Sequence, residues 1–419
     1  SPAFLLWRVA CSPKDLAPVR KSRATWHKSE QIPRHCPLRK TAYMAIILLP
    51  GNSRREASDW GKERTMATQR SEGIKPFIVM EILESAHALE AQGIDIIHLE
   101  VGEPDFDVPS CVKEACRGAL DEGYTHYTHS LGCFELRETI CAHYHRTYGV
   151  TVHPDQVVIT SGTSPAMLLL FSALVESGDE IILSDPGYAC YPNFITFAQG
   201  IPVTVPVYED DGFQFRPEAV RQRITPRTRG ILINSPSNPT GNLLSAARMR
   251  ALAELGPWII SDEIYHGLVY EGQERSILEF TDRAFVLNGF SKQFAMTGLR
   301  LGYLIAPREF VRAIQKMQQN FFICASSLAQ RAGIAALAGA ADDVARMRAI
   351  YNERRQFIVR RLRELGFGIT VEPTGAFYVF ANAKRFSPDS YRLAFDILEK
   401  AHVGVTPGTW LITKACKNP

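Results

Sequence analysis

The sequence predicts an α/β protein with a mostly parallel seven-stranded sheet, helices on both faces, and a smaller α+β domain. Short apolar runs alternate with helical patterns from Gln156 to Gln318, which is typical of strand–helix–strand units. The runs are continuously apolar, as expected for parallel strands that are buried on both faces. Beyond Cys324 the pattern changes to a long helical region, one strand and one helix, which predicts the second domain.

Composition and charge exclude some classes of protein. The 419 residues are 46% apolar and 22% charged, which is typical of a globular chain with a large core. The net charge of +3 consists of +8 over residues 1–65 and −5 over the rest. The rest has no basic patch with interleaved aromatics, so we do not expect nucleic-acid binding. Its longest apolar run, Ala166 to Val175, is too short to cross a bilayer, so we do not expect a membrane protein.

The cysteines favour a reducing compartment, which we take to be the cytoplasm. Their number, nine, is odd, and no CxxC pair or Cys/His spacing typical of a metal site occurs. The chain also lacks an Asn-X-Ser/Thr glycosylation acceptor. We therefore predict no bound metal and a chain that works under reducing conditions.

Residues 1–65 are predicted to be a poorly ordered leader. They lack a sustained hydrophobic period and contain one short apolar run, Ala45 to Leu49. One interpretation is an Arg-rich organellar targeting leader, but five acidic residues argue against it. The interpretation that we favour is an upstream extension of the reading frame, with Met66 as the native start.

The elements follow in chain order from periodicity and helix breakers. Residues 66–110 are predicted as an N-terminal arm and part of the small domain, residues 111–315 as the large domain, and residues 316–419 as the small C-terminal domain. The predicted strands are Ile94–Val101, Val157–Thr160, Glu180–Leu183, Val203–Val207, Gly230–Asn234, Trp258–Ser261, Ala284–Leu287, Leu301–Ala306 and Gly375–Phe380. The predicted helices are Ile78–Ala91, Val112–Leu120, Gly132–Tyr148, Pro165–Glu176, Tyr191–Ala198, Pro217–Arg223, Ala246–Glu254, Arg308–Gln318, Asp342–Leu365 and Tyr391–Ala401.

Short polar signatures follow several predicted strands. Val157–Thr160 leads into SGTS at the start of a helix, where backbone N–H groups can bind an anion; capping of the helix by Ser or Thr is the alternative. Tyr188 follows the next strand and either stacks on a planar ligand or serves packing. Asn238 lies in a turn with two prolines, which either holds its amide at a ligand or is ordinary turn chemistry.

Two further strand ends carry charged side chains. Asp262 follows an apolar run after a single serine, so we expect it to be buried and to need a cationic ring nitrogen or an arginine as its partner. Lys292 follows another apolar run, where partial desolvation would make it an amine nucleophile; a solvated loop lysine is the plainer alternative. Arg300 comes eight residues later. Together the strand ends suit a phosphorylated aromatic aldehyde cofactor that forms a Schiff base with the lysine.

Seven motifs between Ile74 and Gly408 carry a resemblance to a known family. They are LEVGEPDFDVP, YTHYTHSLG, SGTSPA, DPGYACYP, NSPSNPTG, SDEIY and NGFSKQFAMTGLRLGY. In this order and spacing the chain resembles the class I/II pyridoxal-phosphate-dependent aminotransferases of fold type I, the aspartate aminotransferase superfamily. The resemblance implies pyridoxal 5′-phosphate as cofactor. It also implies transfer of an amino group between an L-amino acid and a 2-oxo acid such as 2-oxoglutarate.

The resemblance also implies roles for individual residues. Lys292 would form the Schiff base and move the substrate proton, and Asp262 would pair with the pyridine nitrogen. Tyr265 and Asn238 would hydrogen-bond the ring hydroxyl, and Tyr188 would stack on the ring. The implied phosphate ligands are Thr163, Ser164, Ser291 and Arg300, together with Tyr127 of the neighbouring subunit of a homodimer with shared active sites. The implied neighbours of the substrate α-carboxylate are Gly102 and Asn238.

Departures from the family pattern keep alternatives open. Gly289 stands where the family commonly has a serine, and Ser164 stands where some relatives that prefer acidic substrates have a lysine. No arginine follows Arg392, although the family clamps the substrate α-carboxylate with a C-terminal arginine that a lysine does not replace. We therefore expect a truncated C-terminal domain. A lyase of the same fold and a catalytically impaired cofactor-binding protein stay as alternatives.

Overall fold

The computed structural model describes residues 45–49 and 68–408 of the chain. Within the predicted leader, Ala45–Leu49 is therefore described, and it forms a strand. The predictions for Met66, for the other leader residues and for the tail beyond Gly408 lie outside the described residues. The predicted domain boundaries stay a prediction.

The described residues form twelve strands and twelve α-helices. The strands are β1 (Ala45–Leu49), β2 (Ile97–His98), β3 (Val157–Thr160), β4 (Glu180–Asp185), β5 (Ile201–Pro206), β6 (Thr228–Asn234), β7 (Trp258–Asp262), β8 (Ala284–Gly289), β9 (Gly302–Ile305), β10 (Tyr378–Asn382), β11 (Val403–Gly404) and β12 (Thr406–Pro407). The α-helices are α1 (Gln69–Glu72), α2 (Ile78–Glu90), α3 (Ser110–Asp121), α4 (Phe134–Tyr148), α5 (Thr163–Leu174), α6 (Tyr191–Phe197), α7 (Pro217–Arg221), α8 (Ala246–Ala253), α9 (Arg308–Phe321), α10 (Ser327–Gly339), α11 (Ala341–Leu365) and α12 (Ser390–Ala401).

The main sheet has seven strands in the order β3-β9-β8-β7-β6-β4-β5. Strand β9 is antiparallel to both of its neighbours, and the other neighbouring pairs are parallel. All residues of β3, β8 and β9 are buried, as their continuous apolar runs predicted. The predicted mostly parallel, seven-stranded sheet is therefore confirmed.

Helices cover both faces of this sheet. Successive side chains of a strand point to opposite faces, so neighbouring residues of one strand pack against different helices. Val158 of β3 belongs to a hydrophobic cluster with Phe171 of α5 and Ile314 of α9. Its neighbour Val157 belongs to a different cluster, which contains Leu136 of α4. Across residues 68–408, no helix combines the length and apolar character that a membrane crossing requires.

Strand direction and register bring the carboxyl ends of several strands to one edge. Parallel β6 and β7 are paired with Asn234 opposite Asp262, the last residue of each strand. Since β9 is antiparallel to both β3 and β8, those two strands run the same way. Gly302, which begins β9, lies opposite Thr160 on one side and Gly289 on the other. The polar segments that follow these strands therefore start side by side.

The remaining strands form two smaller sheets. Strand β1 lies between β10 and β12 and is parallel to both, and β2 is parallel to β11. A third hydrophobic cluster joins β10 to α2, α11 and α12. Strand β2 is shorter than the predicted Ile94–Val101 because its partner β11 has two residues. Strand β10 begins later than predicted, at Tyr378, because the N–H groups of Gly375 and Ala376 donate to carbonyls outside the small sheet.

Candidate active site

A cavity of about 450 Å³ lies at the carboxyl edge of the main sheet. Ten of the residues predicted for the site line it. They are Gly102, Thr163, Ser164, Tyr188, Asn238, Asp262, Tyr265, Ser291, Lys292 and Arg300. The eleventh, Tyr127, is 80% exposed and lies outside the cavity of its own chain. The structure thus brings the ten residues together, and their individual roles stay predictions.

The amine of Lys292 points into this cavity. Its Nζ donates a hydrogen bond to the carbonyl oxygen of Gly102 at 2.7 Å. Burial lowers the pKa of Lys292 to about 8, because the charged form loses its hydration. The nearby carboxylate of Glu103 opposes this effect, and the Arg300 guanidinium adds to it. The neutral amine is therefore accessible close to neutral pH, as a lysine nucleophile requires.

The carboxylate of Asp262 is buried at the last position of β7, with 4% of the residue exposed. Its Oδ2 accepts a hydrogen bond from the hydroxyl of Tyr191 at 2.8 Å, and its Oδ1 accepts one from the backbone N–H of Ile264 at 3.2 Å. Burial raises the pKa of Asp262 to about 6, although these two hydrogen bonds lower it. At neutral pH the site therefore holds a desolvated anion, which a cationic partner in the cavity would neutralise.

The amino end of α5 forms the part of the cavity that suits an anion. The helix begins after Gly162, whose φ of +96° favours glycine, and no side chain caps it. The alternative prediction for this segment, a Ser or Thr side chain that caps the helix, is therefore not observed. The guanidinium of Arg300 lies beside it, since a Cβ added to Gly162 would stand 2.8 Å from Arg300 Nη2. Helix N–H groups and a guanidinium together are a favourable setting for a phosphate.

The polar groups at the opposite side of the cavity are joined by a series of hydrogen bonds. Asn234 accepts from the backbone N–H of Asn238 at 2.6 Å and donates through Nδ2 to the carbonyl oxygen of Asp262 at 2.9 Å. Asn238 Nδ2 in turn donates to the hydroxyls of Tyr265 at 3.4 Å and Tyr378 at 3.3 Å. The turn after β6 is thus tied to the end of β7, which fixes where the Asn238 amide stands.

Sequence reasoning missed several residues that line or support the cavity. Tyr191, which donates to Asp262, was predicted only as the first residue of a helix. Its position three residues after Tyr188 in DPGYACYP was the available signal. Tyr378 lines the cavity but sits in the apolar segment GAFYVF, where the hydrophobic pattern indicates core. Hydrophobic periodicity indicates that the ring is buried, but it does not indicate whether the hydroxyl of that ring faces a ligand.

Comparisons with known proteins give consistent similarities. Residues 94–416 match the family described as aminotransferase class I and II. The aspartate aminotransferase of Pyrococcus horikoshii is 38% identical over 356 residues, which cover 83% of this chain and 88% of that protein. The (5-formylfuran-3-yl)methyl phosphate transaminase of Methanocaldococcus jannaschii is 38% identical over 347 residues, covering 82% and 90%.

A solved structure gives the same result for the fold. The aspartate aminotransferase from Thermus thermophilus with maleate superposes with a TM-score of 0.80 at 37% identity, and covers 82% of this chain and 92% of its own. The chain therefore belongs to the aminotransferase class I and II family, and it is an amino acid transaminase.

The burial of Lys292 predicts that its amine loses its proton at a lower pH than the amine of an exposed lysine. In protein freed of bound aldehydes, arylation of Lys292 by 1-fluoro-2,4-dinitrobenzene should reach half its maximal rate near pH 8, because only the neutral amine reacts. The side-chain amine of Nα-acetyl-lysine in the same sample should do so at pH ~10.4. Peptide mass spectrometry across a pH series measures both. If Lys292 titrates together with Nα-acetyl-lysine, the amine is not desolvated as the structure indicates.

Proposed function

We propose that this aminotransferase uses pyridoxal 5′-phosphate. The observation that carries the proposal is the presence, in one cavity, of the desolvated Lys292 amine and the buried Asp262 carboxylate. A lysine amine of lowered pKa attacks an aldehyde, and a buried carboxylate stabilises a protonated pyridine nitrogen. Among the described residues, the hydrogen-bond partners of the two groups are uncharged: Lys292 Nζ donates to a main-chain carbonyl, and Asp262 accepts from a hydroxyl and a backbone N–H.

The other lining groups fit the remaining parts of the cofactor. The amino end of α5 and the side chains around it suit the phosphate. These side chains are Thr163, Ser164, Ser291 and Arg300. The amide of Asn238 and the hydroxyl of Tyr265 lie 3.4 Å apart and suit the ring hydroxyl. The ring of Tyr188, which meets Tyr191 edge to face at 5.1 Å, suits a stacked aromatic ligand.

These residues divide the work of transamination between them. The bound cofactor withdraws electrons from the substrate Cα and so makes its proton acidic. Lys292 Nζ would take that proton and deliver it to the cofactor C4′, acting as base and then as acid. Asp262, ionised above pH of about 6, would hold the proton on the ring nitrogen. Because its site excludes water, this charge interaction is stronger than it would be at the surface.

We propose an L-amino acid and a 2-oxo acid such as 2-oxoglutarate as the substrates. Two relatives are named for aspartate and for (5-formylfuran-3-yl)methyl phosphate, an amino acid and an aldehyde, so similarity does not single out one substrate. Gly102 and Asn238 both lie against Tyr378, on the side of the cavity where Lys292 Nζ reaches the main chain. This shared position supports their predicted place beside the substrate α-carboxylate.

Replacing the lysine tests the proposal. Purified protein with added pyridoxal 5′-phosphate should show a visible absorbance band, which Lys292→Ala should abolish. Transamination of a panel of amino donors with 2-oxoglutarate should fall by at least about 100-fold, because both proton transfers lose their base. The exposed Lys316 provides a matched control, since Lys316→Ala removes an amine outside the cavity.

The products separate the alternatives. Glutamate and a new 2-oxo acid indicate transamination, whereas ammonia release without glutamate indicates a lyase. A visible band without turnover of any donor indicates a catalytically impaired protein. Wild-type protein that shows no band contradicts the proposed cofactor.

We further propose a homodimer with shared active sites. Tyr127 lies in a segment packed on the start of α10, since the backbone N–H of Thr128 donates to Cys324 Sγ at 3.4 Å and Ser327 Oγ donates to the Tyr124 carbonyl. Exposed apolar side chains surround this junction. They are Leu120, Tyr124, Tyr127, Phe321 and Ile323. An apolar surface of this kind is typical of a protein interface and supports the predicted reach of Tyr127 into a second subunit.

Subunit mixing tests the shared site. Tyr127→Ala and Lys292→Ala should each be poorly active, but a hybrid dimer contains one site with both residues intact. Statistical exchange of the two variants should restore roughly a quarter of wild-type activity. If the mixture gives no more than the sum of its parents, or if light scattering shows a monomer, the sites are not shared.

We also propose a reducing compartment such as the cytoplasm. Between residues 68 and 408 the six cysteines are all free thiols, which supports this assignment.

A further inference from the structure

Tyr378 connects the three-stranded sheet β10-β1-β12 to the cavity. It is the first residue of β10, is 4% exposed, and lines the cavity together with residues of the main sheet. Its hydroxyl oxygen lies 2.5 Å from that of Tyr265 and 3.3 Å from Nδ2 of Asn238. Asn238 Nδ2 is also 3.4 Å from the Tyr265 hydroxyl. The three groups therefore form a closed triangle of hydrogen bonds.

Counting donors shows what this triangle can offer. The Asn238 amide has two N–H groups and can give one to each tyrosine oxygen. At 2.5 Å, one tyrosine hydroxyl must donate to the other. That bond uses one of the two O–H protons, so a single O–H is left to point at a ligand. The direction of the tyrosine–tyrosine bond decides which residue presents it.

The surroundings of the two oxygens favour one direction. A Cβ added to Gly102 would stand 2.3 Å from the Tyr378 hydroxyl oxygen, so the main chain at Gly102 crowds that oxygen. The main chain on the other side is also close, since a Cβ at Gly241 would lie 3.0 Å from the Tyr378 carbonyl oxygen. Tyr378 is thus fixed in place with little room for another polar partner, and the Tyr265 hydroxyl is the one better placed to meet a ligand.

We propose that Tyr378 is a positioning residue that donates its proton to Tyr265 and thereby directs the Tyr265 proton into the cavity, toward the ring hydroxyl of the cofactor. This inference rests on the proposed use of pyridoxal 5′-phosphate. A hydroxyl that accepts one hydrogen bond becomes a stronger donor in the next. Tyr378 therefore orients Tyr265 and strengthens it, and it links the packing of the smaller sheet to the electronic state of the cofactor.

The link has a spectroscopic consequence. When the lysine-bound cofactor loses its proton, its ring oxygen carries more negative charge, and a donor at that oxygen favours this form. Loss of the Tyr378 hydroxyl should therefore raise the pH midpoint of the visible absorbance change. The other titratable or charged groups that face this region stay in place in a phenylalanine variant. They are Asp262, Tyr188, Tyr191, Lys292, Glu100, Glu103 and Arg300.

The test compares cofactor-loaded wild-type protein with Tyr378→Phe, Tyr265→Phe and the double variant in a spectrophotometric pH titration. Tyr378→Phe should raise the midpoint by about 0.4–1 pH unit, the equivalent of one ordinary hydrogen bond. Tyr265→Phe should raise it further, and the double variant should match Tyr265→Phe, because Tyr378 acts through Tyr265. Tyr351→Phe is the control: Tyr351 is buried in the same hydrophobic cluster but does not line the cavity, so its midpoint should not move.

Two results would overturn the inference. An unchanged midpoint in Tyr378→Phe means that the hydroxyl is not coupled to the cofactor, and additive shifts in the double variant mean that it does not act through Tyr265. If Tyr378→Phe fails to fold, Gly102→Ala replaces it, because the new Cβ must displace the Tyr378 hydroxyl; an unchanged midpoint there also overturns the inference. A wild-type protein without a visible band contradicts the proposed function instead.

Discussion

The burial of Asp262 is the constraint on which the rest of the site depends. Its carboxylate ends a strand in the middle of the sheet, and loss of hydration raises its pKa to about 6. Above that pH the folded chain by itself holds a desolvated anion, and the hydrogen bonds from Tyr191 and Ile264 offset part of the cost. The cationic ring nitrogen of the proposed cofactor would supply the missing counter-charge. The group that weakens the fold alone therefore strengthens the complex with the proposed cofactor.

The sheet sets the distances at which the other groups meet this carboxylate. Asn234 lies opposite Asp262 in the parallel register and ties the following turn to it, which places Asn238. On the side of the cavity that holds the amino end of α5, a Cβ on Gly302 would stand 2.7 Å from the carbonyl carbon of Gly162. Strand β9 can therefore approach this helix end only with a residue that has no side chain. Arg300, two residues earlier, is thereby held beside that helix end. The same arrangement of strands thus places both the proposed phosphate site, at the amino end of α5, and the Asp262 carboxylate.

The sequence predicted those parts of the site where a polar residue interrupts a buried strand pattern. Asp262 and Lys292 were found because each follows an apolar run, and parallel strands bring such positions to one edge. The main-sheet strands were placed within a few residues for the same reason. Tyr378 could not be found this way, since its ring fits the apolar pattern and its hydroxyl does not change that pattern. The strand predicted over Ile94–Val101 failed in length because pairing, which periodicity does not report, ends where β11 ends.

Asp262→Asn removes the buried charge while keeping the shape of the side chain. The folded-state pKa of Asp262, about 6, lies above its unfolded value, so the ionised carboxylate destabilises the cofactor-free fold increasingly from pH 4 to 6 and fully above that. The asparagine variant should therefore unfold with a free energy higher by up to about 3 kcal/mol at pH 8 and gain little below pH 4. The same variant should lose transamination by about 100-fold or more. A variant that is less stable at pH 8 and as active as wild type would show that the buried Asp262 carboxylate neither destabilises the cofactor-free fold nor serves catalysis.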